Sequence, residues 1–202
     1  ATPLQMVMAM SAVANGGLLM RPRLVDRLED STGRVVRVFP TNVIGRVACD
    51  AACREMRRAL RTAASEGGTA DAAQLTYYTV GGKTGTAEKF VKGVNGQPGT
   101  YKSGKYYASF IGFFPVDDPE LCILVGLDEP DKRVGHMGGG VAAPVFKAIA
   151  ERVASYLRLP PDLSPEPEAE PGVRPKAEPM PELVNRRAVA RTSTGRSEPP
   201  AR

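Results

Sequence analysis

The sequence predicts an α+β fold, an antiparallel sheet packed with helices. Two observations carry that expectation. Apolar and β-branched runs of strand length stand at Leu75–Val80, Tyr106–Phe114 and Leu121–Leu127, the last two joined by the short turn Asp117-Asp118-Pro119, which implies a meander. Around them lie stretches of helical period at Thr2–Asn15, Val47–Ser65 and Ala142–Leu157. The 202 residues are 42% hydrophobic and 24% charged, near the average for folded domains. No apolar run reaches the roughly 18 residues that could span a bilayer as a helix.

Thr2-Pro3-Leu4-Gln5 opens the first helix. Thr2 can cap it, Pro3 suits the first helical position, where its missing N–H costs nothing, and Gln5 closes a capping box. The helix runs through Met6, Val7, Met10 and Val13 to Asn15-Gly16-Gly17, where Gly takes the left-handed conformation that ends it. Apolar nearly all round, it is expected to be buried. Leu24–Glu29 and Val35–Phe39 read as a hairpin around Asp30-Ser31-Thr32-Gly33.

The second helix covers Val47–Ser65 and stops at Gly67-Gly68. Arg54, Arg57, Arg58 and Arg61 form one stripe; Met56, Ala59, Leu60 and Ala63 are the expected core side. No aromatic residue interleaves with the arginines, so the stripe reads as a solvated face and no nucleic-acid partner is expected. Leu75–Val80 reads as the first strand and Lys89–Ser103 as a Gly-rich basic loop. In the second strand Tyr107, Ser109, Ile111 and Phe113 share a face. Gly138-Gly139-Gly140 leads to the last helix, with Pro144 tolerable in its first turn. Its stripe of Val145, Ile149, Val153 and Leu157 is expected to pack on the sheet.

From Pro160 onward the composition changes. Ten of the eighteen prolines lie there, with no aromatic residue and few bulky aliphatics. Such a stretch buries too little apolar surface to offset its ordering entropy. Residues 1–159 are therefore read as one domain portion and 160–202 as a Pro-rich disordered tail. Seven acids and seven bases cancel in the tail, so the net charge of +5 sits on residues 1–159.

Gly82-Lys83-Thr84 invites a phosphate-loop reading, which fails twice. Tyr77 stands where that motif needs its first Gly, and the residues after it, rich in Gly and with a Pro, cannot form the required helix. The alternative is Lys-Thr-Gly on the edge of an antiparallel strand, which resembles the third motif of active-site-serine penicillin-recognising enzymes and so implies a site that binds a carboxylate. Lys83 supplies positive charge for a carboxylate, and the hydroxyls of Thr84 and Thr86 can donate to it. Gly85 leaves room for a substrate beside the strand, and the Thr86 N–H can face an oxyanion.

Several further blocks make the match specific. They are Thr2-Pro3-Leu4-Gln5 with Asn15-Gly16-Gly17, Gly67-Gly68-Thr69-Ala70, Lys83-Thr84-Gly85-Thr86-Ala87-Glu88-Lys89, Ala108-Ser109-Phe110-Ile111-Gly112-Phe113-Phe114-Pro115, Asp128-Glu129-Pro130, and Gly139-Gly140-Val141-Ala142-Ala143-Pro144. In this order they resemble the C-terminal part of the transpeptidase domain of class B penicillin-binding proteins, the division-type synthases most closely.

The resemblance implies the serine β-lactamase-like fold and a peptidoglycan D,D-transpeptidase that cross-links stem peptides by serine acyl transfer and is acylated by β-lactams. It implies Thr86 (through its N–H) and Lys83 as catalytic residues and Lys83, Thr84, Gly85 and Thr86 as the substrate-binding set, with no cofactor and no metal. It also implies work at the extracytoplasmic, periplasmic face of the membrane, an N-terminal anchor, and a membrane-embedded glycosyltransferase and division proteins as partners. The alternative of the same fold is a non-catalytic penicillin-sensing or division-scaffold domain. The family's Ser-x-x-Lys and Ser-x-Asn motifs are absent from this sequence. In the family both precede the Thr-Pro-Leu-Gln helix, so the chain is read as a piece lacking the nucleophile.

Among smaller features, the single His136 is expected to face solvent in its Gly-rich loop. Cys49 and Cys53, one helical turn apart, are expected to be free thiols, because a disulfide along a helix is geometrically poor. Cys122 is expected to be buried. Lys89, Lys92, Lys102 and Lys105 either attract an acidic peptide or lipid head groups or solvate a loop. The Gly67-Gly68-Thr69-Ala70 block is expected to lie apart from the Lys-Thr-Gly motif.

Overall fold

The computed structural model describes residues 1–93, 97–131 and 133–164. Its centre is an antiparallel sheet of β5 (Gly81–Val91), β6 (Thr100–Phe114) and β7 (Leu121–Asp128), in that spatial order. Helices α1 (Pro3–Ala14) and α2 (Asp50–Ala63) pack toward one face. The short α3 (Gly138–Val141), α4 (Ala143–Leu157) and a 3-10 turn at Asp71–Ala73 cover the other. Two small antiparallel sheets pair β1 (Leu18–Met20) with β4 (Val43–Arg46) and β2 (Arg27–Glu29) with β3 (Val35–Val38). The hairpin of β2 and β3 is the one expected, and the β1–β4 pair was not anticipated.

Alternation along β6 divides the core. Phe110 and Phe114 point to α4 and meet Phe146 edge-on, with ring centroids 4.8 and 6.2 Å apart. Phe113 points the other way, to Ala14 and Val116. All four rings are fully buried, and the aromatic residues that the sheet spends here anchor both layers.

Several elements depart from the sequence reading. Leu75–Val80 is an irregular segment rather than a strand. Leu75, Tyr78 and Val80 are buried one by one, and the Tyr78 hydroxyl donates to the Leu159 carbonyl at 2.7 Å. Apolar, β-prone residues signalled burial, and burial needs no ladder. The expected basic loop is instead largely hairpin: β5 and β6 continue into it, with Phe90 opposite Tyr101 and their rings 5.3 Å apart.

On α4 the buried residues are Ala143, Phe146, Ala150 and Ala154, while Val145, Ile149 and Leu157 are exposed. Alanines let the helix lie close to the sheet, and one Phe fills the remaining gap. On α2 the inward residues are Cys53, Arg57 and Leu60, and Met56 and Ala59 face out. Arg57 leaves the expected solvated stripe because its guanidinium donates to the Ala14 carbonyl at the end of α1, at 3.0 Å. In α1 the capping box of Thr2 and Gln5 forms as expected. Its burial does not: Ala12 and Ala14 are buried, but Leu4 is 56% and Met6 45% exposed.

The hydrogen bonds of the body run past Leu159. Asp162 accepts the Thr79 N–H at 2.8 Å and, through its other oxygen, the Thr79 hydroxyl. The Thr79 Oγ1 accepts the Val116 N–H at 2.8 Å. The Asp162 and Leu163 N–H groups both donate to the Tyr77 carbonyl. The expected Pro-rich tail lies, from residue 165 onward, outside the described residues. Because Thr79 is buried, Asp162→Ala is expected to destabilise the chain by about 1.5–3 kcal/mol, the value of hydrogen bonds to a charged acceptor. Urea unfolding of the variant checks this; an unchanged midpoint would show that the latch contributes nothing.

Candidate active site

β5 is an edge strand, and among the described residues β6 is its only ladder partner. In an antiparallel ladder alternate residues of such a strand turn N–H and C=O away from the partner, so the outer rim of β5 can receive another chain. The Lys-Thr-Gly segment lies inside this strand, with Lys83 opposite Ile111, Thr84 opposite Phe110, Gly85 opposite Ser109 and Thr86 opposite Ala108. Side chains alternate, so Thr84 and Thr86 share one face and Lys83 and Gly85 the other.

On the threonine face, the Gly138 N–H at the start of α3 donates to Thr86 Oγ1 at 3.1 Å. The Thr86 hydroxyl in turn lies 3.9 Å from Met137 Sδ, a weak acceptor. Lys83 is exposed, and its Nζ donates to the Thr84 carbonyl at 2.9 Å.

The glycines explain why these pieces approach so closely. A Cβ on Gly138 would fall 2.2 Å from the Ser109 carbonyl oxygen and 2.6 Å from that of Gly85. A Cβ on Gly139 would fall 2.1 Å from the Thr69 carbonyl oxygen and 3.5 Å from the Thr84 methyl. The Gly67-Gly68-Thr69-Ala70 block is therefore part of the same wall, not apart from it as expected. The run Gly138-Gly139-Gly140 was the signal that could have shown a backbone-to-backbone contact here. Gly85 also has a reason besides the one expected. Its missing Cβ would meet Ser109 Oγ at 2.6 Å, so the glycine relieves packing across the ladder.

Beyond Thr86 the ladder slips, with a register shift between Glu88 and Phe90. Lys89, at that bulge, reaches Asp128 at 2.8 Å and Glu129 at 3.1 Å, and the Lys105 ammonium closes on the other Glu129 oxygen. Lys105 and Lys89 beside it hold the Glu129 carboxyl down to about 2. The Asp128 and Glu129 carboxylates push the Lys89 ammonium up. Two of the four flanking lysines are thus committed to carboxylates, while Lys92 and Lys102 are exposed. His136 is half-buried rather than solvent-facing and stacks on Tyr106 with centroids 4.4 Å apart. Lys105, Tyr106, Glu129, Pro130 and His136 line a cavity of about 290 Å³.

All three thiols are free: Cys49 is exposed, Cys53 buried, and Cys122 half-buried rather than buried, with burial pushing its thiol up. Among the described residues no three His, Cys, Asp or Glu side chains converge as a metal site. No helix among them is long and apolar enough to cross a membrane.

Residues 1–151 match the family model of the penicillin binding protein transpeptidase domain. The chain belongs to this family. The transpeptidase-domain blocks seen in the sequence, from Thr69 through Lys83–Lys89 and Asp128-Glu129 to Gly139, are the ones that assemble the wall just described. The chain is 37% identical over 149 residues to stage V sporulation protein D of Bacillus subtilis, a match covering 73% of this chain and 22% of that protein. It is 32% identical over 158 residues to the "Probable peptidoglycan D,D-transpeptidase PenA" of Neisseria meningitidis, covering 78% of this chain and 24% of that protein. Among solved structures it is similar to the apo transpeptidase domain of Burkholderia pseudomallei penicillin-binding protein 3. There the TM-score is 0.63 with 35% identity, over 79% of this chain and 44% of that one. The fold is that of a penicillin-binding-protein transpeptidase domain, with mixed helices and an antiparallel sheet. The chain spans about a quarter of the length of the curated relatives it matches.

Proposed function

We propose that this chain forms one wall of the active site of a peptidoglycan D,D-transpeptidase. The observation that carries the reading is the placement of Thr84 and Thr86 side by side on a free strand edge, with the Gly138 N–H on Thr86 Oγ1. That bond occupies a lone pair of the hydroxyl and leaves its proton for a second acceptor. Met137 Sδ takes this place weakly at 3.9 Å, and the carboxylate of a D-Ala-D-Ala end or of a β-lactam is a far better partner. Lys83 adds the positive charge.

In the reaction, a serine supplied by residues outside this chain attacks the penultimate D-Ala carbonyl carbon, and the Thr86 N–H receives the oxyanion. The C–N bond breaks, D-Ala leaves with the proton, and the amine of a neighbouring stem peptide takes the acyl group and frees the serine. No cofactor enters. The protein works at the extracytoplasmic face of the membrane, held by an N-terminal anchor, with a glycosyltransferase and division proteins as partners.

The test is β-lactam acylation of the full-length protein. Thr86→Val is expected to lower the second-order acylation constant about 10- to 150-fold, the equivalent of one hydrogen bond to a charged group. Thr86→Ser, which keeps the hydroxyl, is expected to recover most of it. A folded Thr86→Val variant that acylates at the wild-type rate would place the carboxylate elsewhere.

A further inference from the structure

The ladder that positions Thr86 is least secure just beyond it. Among the described residues β5 has β6 on one side only, and the register slips between Glu88 and Phe90. A bulge frees the strand locally and re-aims a side chain. The extra residues lie on β6, where residues 102–105 stand against Lys89 alone, and the Lys89 ammonium crosses that strand to reach Asp128, the last residue of β7, and Glu129 beyond it. Lys105, on β6, grips Glu129 from the other side. Charges from all three strands therefore meet three residues after Thr86.

Tyr106 ties this cluster to the roof of the site. Its carbonyl accepts the Glu129 N–H at 2.9 Å, and its ring stacks on His136, next to the Met137-Gly138 pair that contacts Thr86. Glu129 itself sits at φ 51, a left-handed conformation that a non-glycine residue adopts at a cost. Both ammonium groups close on its carboxylate.

We propose that Lys89 is a positioning residue of the acylation step: the clamp it forms with Asp128, Glu129 and Lys105 sets the lie of β5 where Thr86 meets the oxyanion. The inference rests on the transpeptidase reading above and adds a residue that touches neither substrate nor serine. Its consequence is selective. Two of the three groups proposed to hold the carboxylate, Lys83 and Thr84, stand upstream in the regular part of the ladder, and the third, the Thr86 hydroxyl, is held by the Gly138 N–H, whereas the clamp grips the strand downstream. Loosening the clamp should leave initial binding largely intact and slow the chemical step, because an oxyanion donor contributes only where charge develops.

The test separates the two constants by stopped-flow acylation of the full-length protein with a fluorescent penicillin. Lys89→Met keeps the stem of the side chain and removes its charge. Its acylation rate constant is expected to fall about tenfold, the scale of a small network of partly exposed ion pairs, with the pre-acylation dissociation constant changed by less than about twofold. Lys89→Arg, which can bridge the same two carboxylates, is expected to recover most of the rate. The proposal is overturned if Lys89→Met changes neither constant, if it changes only binding, or if Arg does no better than Met at equal melting temperature.

Amide hydrogen exchange over Ala87–Phe90 in the same proteins keeps the two readings apart. If the wild-type protein takes up no penicillin, the transpeptidase reading fails on its own account. The clamp is then decided by exchange: faster exchange in Lys89→Met supports it, and unchanged exchange overturns it.

Discussion

Lys83→Ala in the full-length protein is expected to lower β-lactam acylation by more than about 150-fold, a larger loss than Thr86→Val, because charge and donor go together. The structure explains why the effect should fall on chemistry and not on folding. Lys83 is exposed, and its ammonium rests on the Thr84 carbonyl, a neutral acceptor on its own strand. Removing an exposed side chain with no buried partner usually changes stability by less than about 0.5 kcal/mol. The ammonium lies beside the residue whose hydroxyl is proposed to hold the carboxylate, and an arriving carboxylate competes well with a neutral carbonyl. Stopped-flow acylation with a parallel melting curve checks both halves. A folded Lys83→Ala variant with wild-type acylation would remove this lysine from the site.

Gly138→Ala is expected to disturb both stability and acylation. The new Cβ would stand 2.2 Å from the Ser109 carbonyl oxygen and 2.6 Å from the Gly85 carbonyl oxygen. Both obstacles are backbone atoms of the β5–β6 ladder, so no side chain can swing aside. Either the ladder opens or α3 lifts away and its N–H leaves Thr86 Oγ1. Overpacking of this kind costs about 1–3 kcal/mol, and the shift reaches a residue of the proposed carboxylate site. Gly140→Ala is the comparison. Among the described residues a Cβ there meets nothing within 4 Å, so that variant should melt with the wild type and acylate normally. If Gly138→Ala and Gly140→Ala prove alike in melting temperature and acylation, the close approach of α3 to the ladder is not what holds the wall together.

Much of the site was legible because it is local in sequence. Lys83, Thr84, Gly85 and Thr86 are consecutive, so their chemistry could be read from residue type once the phosphate-loop reading had failed. The strand carrying them begins at Gly81, six residues after Leu75, because the apolar residues of Leu75–Val80 are separate anchors in the core and not ladder partners. The rest of the wall was hidden by distance along the chain. Lys89 and Asp128 are 39 residues apart, and Gly138 and Thr86 are 52 apart. No periodicity within either segment reports such a contact.

The sequence by itself determined what depends on neighbours along the chain: the capping box at Thr2 and Gln5, the hairpin at Asp30–Gly33, the β6–β7 meander and the family to which the blocks belong. The capping box and the hairpin turn are settled by hydrogen bonds a few residues long, the meander by a short turn between two strand-like runs, and the family by the order of its blocks along the chain. The tertiary structure alone decided which faces are inside. On α4, Ala143, Phe146, Ala150 and Ala154 won over the larger Val145 and Ile149, because the sheet rewards close approach as well as apolar area. On α2, Arg57 turned inward to the open carbonyl end of α1. Thr69 joined the wall of the candidate site because Gly139, far along the chain, has no side chain to keep it away. Burial and packing are properties of two surfaces together, and a sequence presents only one of them at a time.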